Sequence, residues 1–174
     1  MTDWIDALVT RLSDDQKGRN LKRAVQLVHA DIIRARAPAF FKEVLDRASE
    51  TSRELNKKLG ATLGDITFNT AGDHFAVRNS GRTRVSLDVK LNLTGYQIEV
   101  VIDRHGPHVV SAEGTARTYE FKVGDDDDVR VESQGDSFHD GDALATRLLQ
   151  EAFTALMVST GTSSPEKNRT STSS

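Results

Sequence analysis

Four consecutive aspartates, Asp125 to Asp128, stand between two runs of alternating apolar and polar residues in "YEFKVGDDDDVRVES". A calcium loop spaces its acids at alternate positions, with a glycine at the sixth and a bidentate glutamate at the twelfth. Counted from Asp125, the fifth and sixth positions are Val129 and Arg130, so that pattern fails. Val123 and Val129 are an even number of residues apart, and both can face a core if Gly124 to Asp128 form a hairpin loop, for which Gly and Asp are favoured. The acids therefore read as a solvated hairpin tip rather than a loose cation site or a docking epitope for a basic partner. At a sheet edge their charge would also oppose edge-to-edge pairing.

Asp103, His105 and His108 form the second cluster, around Gly106-Pro107. Zinc takes three or four well-aimed ligands, and a His-Gly-Pro-His loop supplies two histidines with no helix to aim them. A turn that contains histidines explains the same residues, so no metal and no cofactor is expected. His139 sits among Asp136, Asp140 and Asp142, where Asp140 suits a helix N-cap. Nucleophilic catalysis lacks a Gly-x-Ser-x-Gly elbow, and the single-glycine turns "NSGRTR" and "TAGD" lack the second glycine and the lysine of a phosphate loop. Cysteine is absent, which removes disulfides, thiolate metal sites and a cysteine nucleophile together.

The remaining polar signal is a basic stripe in "GRNLKRAVQLVHADIIRARA", carried by Arg19, Lys22, Arg23, Arg34 and Arg36. Such stripes can track a phosphate backbone. Here Asp31 interrupts it, no aromatic residue accompanies it, and the chain has a formal net charge of −3, so a solvated helix face is favoured over nucleic-acid binding. Charge is nonetheless uneven. Arg11 to Lys58 holds twelve Lys or Arg against seven acids, and Leu59 to Val158 holds nine against sixteen. That asymmetry permits contact with a charged partner or with another copy.

The elements that must carry these residues follow from periodicity. Trp4, Leu8 and Leu12 recur every four residues after Asp3, and Leu21, Val25, Val28, Ile32 and Ala35 step by four, three, four and three on one stripe. Pro38 suits a first helical position, which predicts a break near Ala37. Phe41, Leu45, Ala48, Ser52, Leu55 and Leu59 then form a third apolar stripe, with Gly60 placed to end it. The expectation is an antiparallel helical hairpin, or one long kinked helix lying on something flat, with both stripes packed on a core.

From Gly64 the period changes to two. Val85, Leu87, Val89, Leu91 and Leu93 point one way, and after Thr94-Gly95 so do Tyr96, Ile98, Val100 and Ile102, which predicts a hairpin with one buried and one wet face. Ile66 with Phe68, Phe75 with Val77, Tyr119 with Phe121, and Val129 with Val131 repeat the alternation. Leu144, Leu148, Ala152 and Leu156 form a closing helical stripe.

The fold class expected is α+β: N-terminal helices in a hairpin, a twisted antiparallel meander of about six strands, and a C-terminal helix packed on the sheet. Residues 1–158 are read as one domain, with helices over 1–60, sheet over 64–133 and the last helix over 140–158. The tail over 159–174 carries almost only Ser, Thr and charge and is expected to be disordered. No apolar run approaches the ~20 residues that span a bilayer, so a soluble protein with no membrane contact and a cytoplasmic address is the default. The function expected is a non-enzymatic protein-interaction module, such as an adaptor, chaperone or regulatory subunit, that uses the helical hairpin or an exposed sheet edge to bind a protein partner or another copy of itself. The alternative is a small-molecule pocket between the sheet and the last helix, lined by Phe68, Tyr96, Tyr119 and Phe121. A nucleic-acid-associated module ranks third.

Overall fold

The computed structural model describes residues 3–106 and 114–160. One helix, α1 (Asp3–Leu63), leads into seven strands, β1 (Ile66–Ala71), β2 (His74–Asn79), β3 (Arg84–Asn92), β4 (Gln97–His105), β5 (Thr115–Val123), β6 (Val129–Ser133) and β7 (Asp136–Phe138), and α2 (Gly141–Thr160) closes the chain. The class is α+β. The strands form a single antiparallel sheet in the order β1-β2-β3-β4-β5-β6-β7, so every connection is a hairpin. β1 and β7 each have one neighbour, which leaves the sheet open rather than curled shut. His108 and the Ser/Thr-rich tail from 161 lie outside the described residues.

Alternation in the strands fixes which face is buried. Val85, Leu87, Val89 and Leu91 of β3 face Ile98, Val100 and Ile102 of β4 in the register Leu91↔Ile98 and Val89↔Val100, all 5% exposed or less. This agrees with the parity of the sequence, although the ladder stops at Asn92↔Gln97 and Leu93 is left exposed. Tyr119 and Phe121, Val129 and Val131, and Phe75 and Val77 complete the inner face. Over it lie Ala37, Phe40, Phe41, Val44 and Ala48 of α1 and Leu144, Leu148, Leu149 and Phe153 of α2. The face opposite is polar and wet.

Three expectations are corrected. The helical hairpin is absent, because α1 runs unbroken through Pro38. Proline inside a helix costs ~3 kcal/mol through the missing N–H and its clash with the preceding turn. Pro38 itself is exposed, and burial of Phe40, Phe41 and Val44 just beyond it, at ~1.5–3 kcal/mol for each large side chain, offsets that cost. Secondly, α1 ends at Leu63, not Gly60, and Gly64 adopts φ +78° as its left-handed stop. Thirdly, there is a seventh strand. Gln134 and Gly135, at φ +45° and +94°, make the two-residue turn that folds Asp136–Phe138 back onto β6.

The end of α1 is joined to the sheet by one side chain. Asn79, 6% exposed, donates through Nδ2 to the carbonyls of Leu63 at 2.7 Å and Thr83 at 2.8 Å, and its Oδ1 accepts from the Val85 N–H at 2.6 Å. A Cβ on Gly81 would overlap the Leu63 carbonyl, so the β2–β3 turn presses directly on the helix terminus. With this joint fixed, the direction of the whole helix is fixed.

Candidate interaction surface

At ~1.5 Å per residue a 61-residue helix is ~90 Å long, far longer than the strands it touches, none of which exceeds nine residues. Only its second half rests on the sheet. From Leu8 to Val28 every residue is exposed, and burial begins at Ile33. The first half of α1 is therefore an arm that leaves the body.

Two contacts mark the point of departure. The Arg34 guanidinium lies 5.5 Å from the centre of the Tyr96 ring, in the β3–β4 turn. Arg36 donates to the Asp127 carbonyl at 2.6 Å, in the β5–β6 turn. The aspartate run is indeed that turn: Val123 pairs with Val129, the Gly124 N–H bonds the Asp128 carbonyl at 2.8 Å, and Asp127 takes φ +55°. Asp128 also meets His139 Nδ1 at 2.8 Å. The acidic loop thus meets the root of the arm through the Asp127 carbonyl.

Beyond this root the arm has two unlike sides. Leu21, Val25 and Val28 are 68%, 45% and 56% exposed, and with half-buried Ile32 they line one stripe. Val28 precedes Ala37 by nine residues, or about two and a half turns, so the stripe points away from the sheet. The expectation that it packs in the core is corrected for Leu21, Val25 and Val28, whereas Ile32 does pack against the core. An amphipathic period shows that one face is apolar, but not whether the body reaches that far along the helix. Arg19, Lys22 and Arg23 each precede a core residue, Ala37, Phe40 and Phe41, by eighteen residues or about five turns, so they continue the body-facing side of α1. Leu8, Val9, Leu12 and Leu27 add exposed apolar area elsewhere on the arm.

No family model, curated protein or solved structure matches the chain.

The aromatic residues expected to share one pocket have separate surroundings. Tyr119 and Phe121 are packed in the core, with Tyr119 edge-on to Phe138 and Phe121 edge-on to Phe40. Phe68 stacks on Phe75 at the β1 side of the sheet, 5.6 Å between centres. Tyr96 and Phe121 do meet at a hollow of about 330 Å³, shared with His29, Ala30 and Ile33, which lies beside α1 rather than α2. Asp103 and His105 lie at the outer end of β4, opposite Ser86 and Arg84. Among the described residues no three His, Asp or Glu side chains gather closely enough to hold a metal ion, and no helix is long and apolar enough to cross a membrane.

The wet face of the sheet carries cross-strand pairs. Asp88 accepts from Arg78 at 3.1 Å and from the Ser86 hydroxyl at 2.5 Å, with His74 3.4 Å away. Hydrogen bonds from Asn92 and Gln97 hold the Glu99 carboxyl below the usual carboxylate range. A shallow hollow of about 780 Å³ over β5 to β7 is lined by Thr118, Glu120, Lys122, Glu132 and Ser137. On the inner face Arg117 pairs with Glu151 at 2.7 Å and Arg104 donates to the Glu151 carbonyl at 3.0 Å. Burial raises the neighbouring Tyr119 phenol above its ordinary range, although Arg117 pulls it back. Sequence reasoning missed this Arg104, Arg117 and Glu151 group. Its one signal was a charged residue at an inward position of β4 and of β5.

Proposed function

We propose that the chain is a protein-interaction module of the adaptor, chaperone or regulatory-subunit kind, and that the α1 arm is its binding element. The observation that carries this reading is the unbroken exposure of Leu8 to Val28, large apolar residues included. Leu21, Val25, Val28 and Ile32 are spaced i, i+4, i+7 and i+11, the spacing with which an amphipathic helix enters a groove. Removal of this apolar surface from water would drive the association. Arg19, Lys22 and Arg23 stand on the other side of the arm, where they suit acidic groups on a partner that wraps the helix. Gly18 weakens the helix of the arm by ~1 kcal/mol, an amount that contact with a partner would offset.

The test is Leu21→Glu, Val25→Glu and Val28→Glu together. These side chains lie outside the core, so the variant keeps the thermal midpoint of the wild-type protein. It should lose the partner that the wild type retains from an extract of its own source. Retention of the same partner by the variant would contradict the proposal.

A second reading is favoured by the hollow at Tyr96 and Phe121, whose volume lies at the small end of the range for ligand sites. An apolar fragment seated there would shift the Tyr96 ring resonances, and Ala30→Trp would abolish the shift by filling the space. Binding unaffected by Ala30→Trp would remove this reading.

A further inference from the structure

The two edges of the sheet are unlike. β7 is three residues long, begins at Asp136 and is followed by Asp140 and Asp142, so brevity and charge both discourage pairing. β1 is six residues long, "ITFNTA", with no charge, no proline and an uninterrupted register from Ile66↔Asn79 to Ala71↔His74. Four of its six residues are exposed. It lacks the charge, proline and bulge that keep an edge strand from recruiting another, and α1 reaches its first residue through Asn56.

The free groups of this edge can be assigned. The Ser80 N–H bonds the Asp65 carbonyl, which makes 65↔80 a hydrogen-bonded pair. By alternation Thr67 and Asn69 bond inward to β2, and Ile66, Phe68 and Thr70 direct their N–H and C=O outward. The Ile66 N–H is already met by Asn56 Oδ1 at 2.9 Å. What remains is the N–H and C=O of Phe68 and of Thr70, and the C=O of Ile66.

That set matches itself. We propose that β1 pairs antiparallel with β1 of a second copy about a two-fold axis at Phe68, joining two sheets into one. In this register the two Phe68 residues exchange both of their hydrogen bonds, and each Thr70 N–H meets the Ile66 carbonyl across the axis. Four bonds form, the two Ile66 donors stay with Asn56, and the two Thr70 carbonyls are left to water. The Phe68 rings come together on the inner face and extend the chain of rings from Phe41 through Phe75. On the outer face Thr67 stands opposite Asn69 of the second copy. Because β1 is uncharged, pairing with itself sets no like charges opposite one another, which favours a second copy over a charged peptide as the occupant.

The experiment compares two double variants of the full chain. Thr67→Glu with Asn69→Glu sets like charges face to face twice across the axis, whereas Thr67→Glu with Asn69→Lys sets opposite charges there. Within one copy both variants place the new side chains on the exposed outer face, so equal thermal midpoints show that both fold. Sedimentation equilibrium should give a dimer for the wild type, a dissociation constant raised about tenfold by the Glu/Glu variant, and dimerisation restored by Glu/Lys. Hydrogen exchange should protect the Phe68 and Thr70 amides in the dimer. A monomeric wild type with fast exchange at both amides would overturn the proposal. So would a dimer that ignores both edge variants and dissociates when Leu21, Val25 and Val28 become glutamate, an outcome that assigns self-association to the arm.

Discussion

Replacing Asn79 by alanine should destabilise the protein by ~3 kcal/mol. The side chain makes three hydrogen bonds, all to backbone groups, and lies 6% exposed where the end of α1 meets the β2–β3 turn. Each bond is worth ~1 kcal/mol net, and the Val85 N–H, on a residue only 1% exposed, would be left without its acceptor, a loss that itself costs ~1–3 kcal/mol. Urea denaturation measures the change, with an unaltered slope indicating that the same surface unfolds. Asn79→Asp sharpens the test because it barely changes volume. Its carboxylate still accepts from Val85 but donates nothing, and it sets negative charge against the Leu63 and Thr83 carbonyls. It should therefore cost at least as much as alanine at neutral pH. A loss under ~1 kcal/mol for alanine, or an aspartate variant as stable as wild type, would refute the view that this joint fixes the helix on the sheet.

Pro38→Ala should raise stability by ~1–3 kcal/mol, because it restores an N–H to an exposed position inside a continuous helix; a decrease in the denaturation midpoint would mean that the chain needs a break there. Tyr119→Phe should flatten the alkaline loss of stability. Burial raises the folded phenol above its ordinary range, so near pH ~10 the unfolded chain has released a proton that the folded chain still holds. Stability is thus full below that pH and falls as pH rises through the folded value. Urea midpoints across that range should fall in the wild type and stay level in the variant, and equal slopes would contradict the assignment.

The sheet was legible because its signal is local. Val85 to Leu91 alternate without exception and Ile98 to Ile102 with the one exception of exposed Val101, and parity across the turn leaves one register that buries both sets. The aspartate run was legible for the same reason, since Val123 and Val129 fix the loop between them. The helical part was not. A proline weighs against a helix in its own sequence neighbourhood, and the compensating burial of Phe40, Phe41 and Val44 is tertiary. The Leu21 to Ile32 stripe has the period of a core helix, but nothing local states that the sheet ends before reaching it. Brevity hid β7, whose only mark was Gly135. The β1 edge was beyond reach without a strand order, because a strand reads alike whether it has one neighbour or two. The candidate site therefore lies where local pattern and global position part.

The most direct test of the projecting arm is a distance within α1. The chain has no cysteine, so Val9→Cys and Ala39→Cys, both at exposed positions, accept a pair of spin labels without competition. Thirty residues of unbroken helix set the two backbone sites ~45 Å apart, and pulsed dipolar spectroscopy should give one distribution near that value. A distribution centred well below it would mean that the helix folds back before Pro38, covering the surface on which the proposed function rests.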